Sequence, residues 1–160
     1  MMPFVYGIDG APATPYATQA TANTEDPTLV LRQATRGFDV QSILVHGRGA
    51  SLTALTGIGY RVRRWTTAGS GGTAVTPAPR RIGTTASTTA ADKVTAITAG
   101  TVSGAYQLAI GCGAAGPGGW VAPNQDSCIH VEGGSSDELD INSVAGVASM
   151  LHHVSAEIME

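Results

Sequence analysis

No stretch of this chain keeps a 3.6-residue apolar period over three helical turns. Short runs of period two recur instead, separated by Gly, Pro, Asn and Asp. Thr28 to Leu31 is a first apolar run, and Phe38 to Val45 (FDVQSILV) a second. In the longest segment, Ser51 to Trp65, Ile58, Tyr60 and Val62 alternate with Gly59, Arg61 and Arg63, as in a half-buried strand. Tyr106 to Ile110, Trp120 to Pro123, Cys128 to Glu132 and Glu138 to Ile141 follow. In the last run, Met150 to Met159, Val154, Ala156 and Ile158 alternate with Ser155, Glu157 and Met159. Val75 to Ile82 carries Pro77 and Pro79, so as a strand it belongs at a sheet edge. Thr85 to Thr95 could hold one helical turn, but its threonines favour an extended path. The expected fold is all-β: a jelly-roll-like β-sandwich of about eight strands. Residues 28–160 form that domain. Residues 1–27, with Pro3, Pro12, Pro15 and Pro27, read as an extended N-terminal arm that a neighbouring subunit would hold.

Composition narrows the function. Charged residues make up 13% of the chain, about half the usual share, which leaves little material for acid–base catalysis. A net charge of −3 argues against a general nucleic-acid binder. No apolar run approaches the ~18 residues of a membrane-spanning helix. The first residues, MMPFVYGIDGAPATPY, lack the basic and apolar regions of a signal peptide. Cys112 and Cys128 cannot make a disulfide framework, and two reduced thiols are expected of a chain made in the cytosol.

Few constellations could carry chemistry. Asp137, Glu138 and Asp140 form an acidic cluster without the spacing of a calcium loop; alternation puts Asp140 on an exposed strand face, so a solvated turn is expected. His152 and His153 are adjacent in a strand and point to opposite faces, so they cannot jointly chelate; His130 or His46 would have to join one of them. No metal site and no cofactor are expected. Gly69 to Gly72 and Gly111 to Gly119 lack the lysine and following helix of a phosphate-binding loop. Cys112 lies between two glycines without an identifiable base. No catalytic residue is assigned. The strongest charge concentration is Arg61, Arg63 and Arg64 with Trp65; Arg61, Arg63 and Trp65 share one strand face. Arginine with tryptophan is the composition of an interface anchor, and these four residues with Trp120 are the candidate contact residues.

Two segments resemble known proteins. Arg64-Trp65-Thr66-Thr67-Ala68-Gly69-Ser70-Gly71-Gly72-Thr73-Ala74-Val75-Thr76-Pro77 is similar to a strand, Gly-rich loop and Thr-Pro turn of tailed-bacteriophage structural proteins. Trp120-Val121-Ala122-Pro123, Glu138-Leu139-Asp140-Ile141 and the final alternating strand resemble the layout of their C-terminal halves. The resemblance spans residues 28–160. It implies a jelly-roll-like head decoration or cement protein on the virion surface, made in the host cytoplasm. The implied partners are the major capsid protein and further copies of the chain, as a trimer or dimer, with no membrane and no direct nucleic acid. A tail, baseplate or glycan-binding module is the competing expectation, with Trp120, Asn124, Gln125 and Asp126 as its patch. A metal-holding cupin would need two nearby His residues and a Glu on inward strand faces, and the chain lacks the H-x-H spacing.

Overall fold

The structure is a computed structural model. It describes residues 4–9, 17–18, 26–32, 35–48, 58–87, 90–93, 98–112, 116–134, 137–144 and 151–160. Thirteen strands run through these residues: β1 (Val5–Asp9), β2 (Ala17–Thr18), β3 (Asp26–Arg32), β4 (Phe38–Arg48), β5 (Ile58–Trp65), β6 (Thr73–Val75), β7 (Ala78–Pro79), β8 (Ala90–Lys93), β9 (Val102–Cys112), β10 (Gly118–Val121), β11 (Ile129–Val131), β12 (Glu138–Val144) and β13 (Leu151–Met159). A short 3-10 turn, Gln125–Ser127, joins β10 to β11. The strands are more numerous than the eight expected because several are pieces of two to four residues. Residues 51–57 of the longest sequence segment, and residues 88–89 and 94–97 in the Thr-rich stretch, lie outside the described residues.

The strands form two antiparallel sheets, a β-sandwich. One sheet has the order β10-β4-β13-β1-β7, with β11 also on β4 and β2 on β13; the other has the order β6-β8-β3-β12-β5-β9. These orders do not establish the jelly-roll connectivity. Period two decides what lies between the sheets. Leu29 and Leu31, Tyr60 and Val62, and Leu139 and Ile141 face inward from one sheet; Phe38, Val40, Ile43, Val45, Val154, Ala156 and Ile158 face them from the other. Cys112 is buried in this core, and both it and Cys128 are free thiols.

Pro77 and Pro79 do mark edges. β6 ends one sheet and β7, three residues later, ends the other, so the chain crosses the sandwich there at residues lacking an amide proton. The segment Val5–Asp9 departs from the expected arm. It is a strand between β13 and β7, with Val5 opposite Met159 and Asp9 opposite Ser155. Tyr6 and Ile8 alternate into the core, and Phe4 and Glu160 exchange both backbone hydrogen bonds. The pattern Tyr-Gly-Ile is too short to stand out beside Pro3 and the Pro-rich residues that follow. Of those, residues 10–16 and 19–25 lie outside the described residues.

Tyr60 bridges the two sheets at the core, and its hydroxyl donates to the His46 carbonyl at 3.4 Å. Burial pushes its phenol far above the ordinary value of 10. Above pH 10 the unfolded chain releases the phenolic proton while the folded chain keeps it. Stability is therefore present below pH 10 and falls as pH rises beyond it, by up to about 1.4 kcal/mol per pH unit. Alkaline titration of denaturant midpoints should show this slope. In Tyr60→Phe the slope should flatten.

Candidate functional site

The basic and acidic clusters, 73 or more residues apart in sequence, are each other's partners. β12 lies between β3 and β5 and brings Glu138 opposite both Arg32 and Trp65, Asp140 opposite Val30 and Arg63, and Asn142 opposite Arg61. All of these point away from the core, onto the outer face of the six-stranded sheet. Arg63 donates through Nε and Nη2 to Asp140 Oδ2, at 3.0 and 2.5 Å, in full burial. Arg32 donates to Glu138 Oε1 at 2.9 Å, and Arg64, on the opposite face of β5, donates to Asp137 Oδ2 at 2.9 Å.

The expectation of a solvated Asp140 is therefore corrected. Its carboxylate is wholly buried because the outer face of this sheet is itself covered. The Gly-rich loop after Trp65 supplies part of that cover. Arg32 donates to the Gly69 carbonyl at 2.9 Å, and the Gly69 amide donates to Glu138 Oε2 at 3.0 Å. Ser70 and Thr98 exchange backbone hydrogen bonds, and the Thr66 amide donates to the Thr101 carbonyl. Glycine is required where these strips touch. A Cβ at Gly69 would lie 2.3 Å from the Trp65 ring, and one at Gly100 would lie 1.9 Å from the Thr67 carbonyl oxygen.

The five candidate contact residues thus divide. Trp65 has no exposed surface and Arg63 almost none, so both act within the chain instead of anchoring a partner. Arg61 is half-buried on the same outer face. Arg64 and Trp120 come together. They line one cleft of about 380 Å³, between β9 of one sheet and β10 and β11 of the other, with Gln107, Leu108, Ser127 and His130. Arg64 Nη2 also donates to the His130 carbonyl, tying the two sheets at this rim. Trp120 packs one side against the core. Asn124 and Gln125 line a separate concavity of about 300 Å³ with Val121 and Glu157, so the glycan patch expected from the sequence is split across two surfaces.

A surface not singled out in the sequence lies beside that second concavity. Leu44 is 52% exposed and Val121 72% exposed. β10 runs along β4 with Gly119 opposite Leu44 and Val121 opposite Ser42, which places both apolar side chains on the outer face of the seven-stranded sheet. Ser42, Gly119 and Ser155 flank them with little side-chain bulk, and the exposed Arg80–Glu157 ion pair stands on the same face across from Ser42. The sequence does alternate here, but with exposed Leu and Val where polar residues would normally fall.

Of the remaining titratable groups, two histidines are held by carboxylates. His130 Nδ1 lies 2.6 Å from Asp39 Oδ1, and His153 Nε2 lies 2.8 Å from Asp9 Oδ1. His153 sits directly across from His46, but among the described residues no three His, Cys, Asp or Glu side chains gather as metal ligands. The side chain of His152 lies outside the described residues. Burial, then the Asp39 and Asp126 carboxylates, push the Cys128 thiol upward, so it stays protonated at neutral pH. Among the described residues no helix is long and apolar enough to cross a membrane. Compared with protein-family models, curated proteins and solved structures, the chain matches none of them.

Proposed function

We propose that this chain is a non-enzymatic structural protein of a tailed-phage virion, a jelly-roll-like decoration or cement protein that binds the major capsid protein and reinforces the shell. The single observation that carries the reading is the exposed apolar pair on the outer face of the seven-stranded sheet. There Leu44 and Val121 stand exposed, while Arg63 and Arg64 of the basic cluster are spent on pairs within the chain. Such a face suits close approach to another protein surface, and many copies on a lattice multiply a weak contact. The resemblance of the Arg64–Pro77 segment to phage structural proteins points the same way. Copies are expected to associate as trimers or dimers on the shell.

The test uses shells assembled from the major capsid protein of the same phage. Wild-type protein should bind them saturably. The pair Leu44→Asp and Val121→Asp should lower occupancy at least about tenfold, as expected of charges forced into a desolvated interface, with circular dichroism unchanged. Absence of wild-type binding would sink the reading. The second reading, a tail or baseplate module, is favoured by the Trp120 cleft at the rim. Microscopy of whole particles that places the chain on the tail would select it.

A further inference from the structure

We infer that the cleft between β9 and β10–β11 is a binding site for a neutral saccharide unit. The inference does not rest on the capsid reading, since neither Leu44 nor Val121 lines the cleft, although Cys128 lies between it and the hollow beside Val121. At about 380 Å³ the cleft falls within the range of small-ligand pockets.

Its walls supply what a sugar ring needs. Trp120 is fixed on one side by the core and half-buried on the other, so it offers a ring to the apolar C–H face of a pyranose. Around it stand Gln107, Ser127, His130 and Arg64, a mixture of donors and acceptors suited to hydroxyl groups.

These polar groups are preorganised from outside the cleft. Asp137 and the His130 carbonyl hold Arg64, Asp39 holds the His130 ring, and the Ser127 hydroxyl donates to Asn124 Oδ1 at 2.9 Å. A site whose side chains are already oriented loses less freedom on binding. The same partners decide the ligand's charge. The Arg64 guanidinium is matched by Asp137, and Asp39 and Glu132 stand by His130, so no cationic excess is left to favour a phosphate, sulfate or carboxylate. A neutral polyol with one apolar face is the chemistry that fits.

The chain's two tryptophans make the test direct. Glucose, galactose and N-acetylglucosamine would be titrated into the labelled full-length protein, following the indole N–H signals by NMR. At least one sugar should shift the Trp120 signal saturably, while the Trp65 signal, sealed beneath its loop, stays in place. Inorganic phosphate and sialic acid at equal concentration should leave Trp120 unmoved. Trp120→Ala and Gln107→Ala should each weaken binding about tenfold; Gln107 is exposed, so its variant should fold normally even where loss of Trp120 disturbs the core. No saturable shift with any of the three sugars overturns the inference. So does preferential binding of the anions, or binding that Gln107→Ala and Trp120→Ala leave unchanged. Shell binding measured in parallel moves independently, so failure here is distinguishable from failure of the capsid reading.

Discussion

Replacing Arg63 alone by leucine is expected to lower stability by about 3–5 kcal/mol, because it strands the Asp140 carboxylate in a fully buried site without its guanidinium. A single domain has roughly 5–15 kcal/mol in total, so this is a large fraction of what holds the fold. In a thermal melt the midpoint should drop by roughly 6–20 °C. The informative companion is the double variant Arg63→Leu with Asp140→Leu. It removes both charges and both desolvation costs, and should recover most of the loss. If the double variant melts as low as the single, the cost lies in packing and not in a stranded charge. The same logic separates Arg63 from Arg64. The Arg64–Asp137 pair is about a quarter exposed, so Arg64→Leu should cost about 1 kcal/mol or less through that pair.

Removal of Met1 to Asp9 should be at least as damaging. Tyr6 and Ile8 are almost wholly buried, and each such side chain contributes about 1.5–3 kcal/mol on leaving water. The deletion also strips β13 of its partner over Ser155–Met159 and leaves β7 without its one neighbour among the described strands. The truncated chain is expected to be largely unfolded or aggregated by size-exclusion chromatography, since an unpaired, hydrophobic strand edge recruits others. A truncated protein that melts at the wild-type temperature would mean the segment is dispensable to the fold, as an arm held only by another subunit would be.

The two predictions concern the places where sequence and structure part. Alternation in Ile58–Trp65 and in Leu151–Met159 is long enough to reveal strands and their inward residues, and both strands lie where that pattern puts them. The all-β sandwich was legible for the same reason. Period two also assigned Asp140, Arg63 and Trp65 correctly to the face away from the core. It does not say whether that face is bare. Here the loop from Thr66 to Gly72 and the residues around Thr98 to Thr101 close over Trp65, and nothing local in the sequence marks a loop as a cover. The pairing of Arg64 with Asp137 and Arg63 with Asp140 was hidden by distance along the chain. Each cluster looked like a surface feature until β12 was laid beside β5. Of the contact residues, Arg64 and Trp120 were found separately; that they share a cleft depends on how the two sheet rims meet.

The position of β13 has a consequence for synthesis. The last of the described strands lies in the middle of its sheet, between β4 and β1. Before Leu151–Met159 is made, Phe38–Arg48 can pair with β10 and β11, and Val5–Asp9 with β7, but these two parts of the sheet lack the strand that lies between them. The two parts unite only when Leu151–Met159 arrives and slots between two strands made long before. Closure of this sheet is thus dominated by pairings between strands distant in sequence, a regime in which a chain folds slowly.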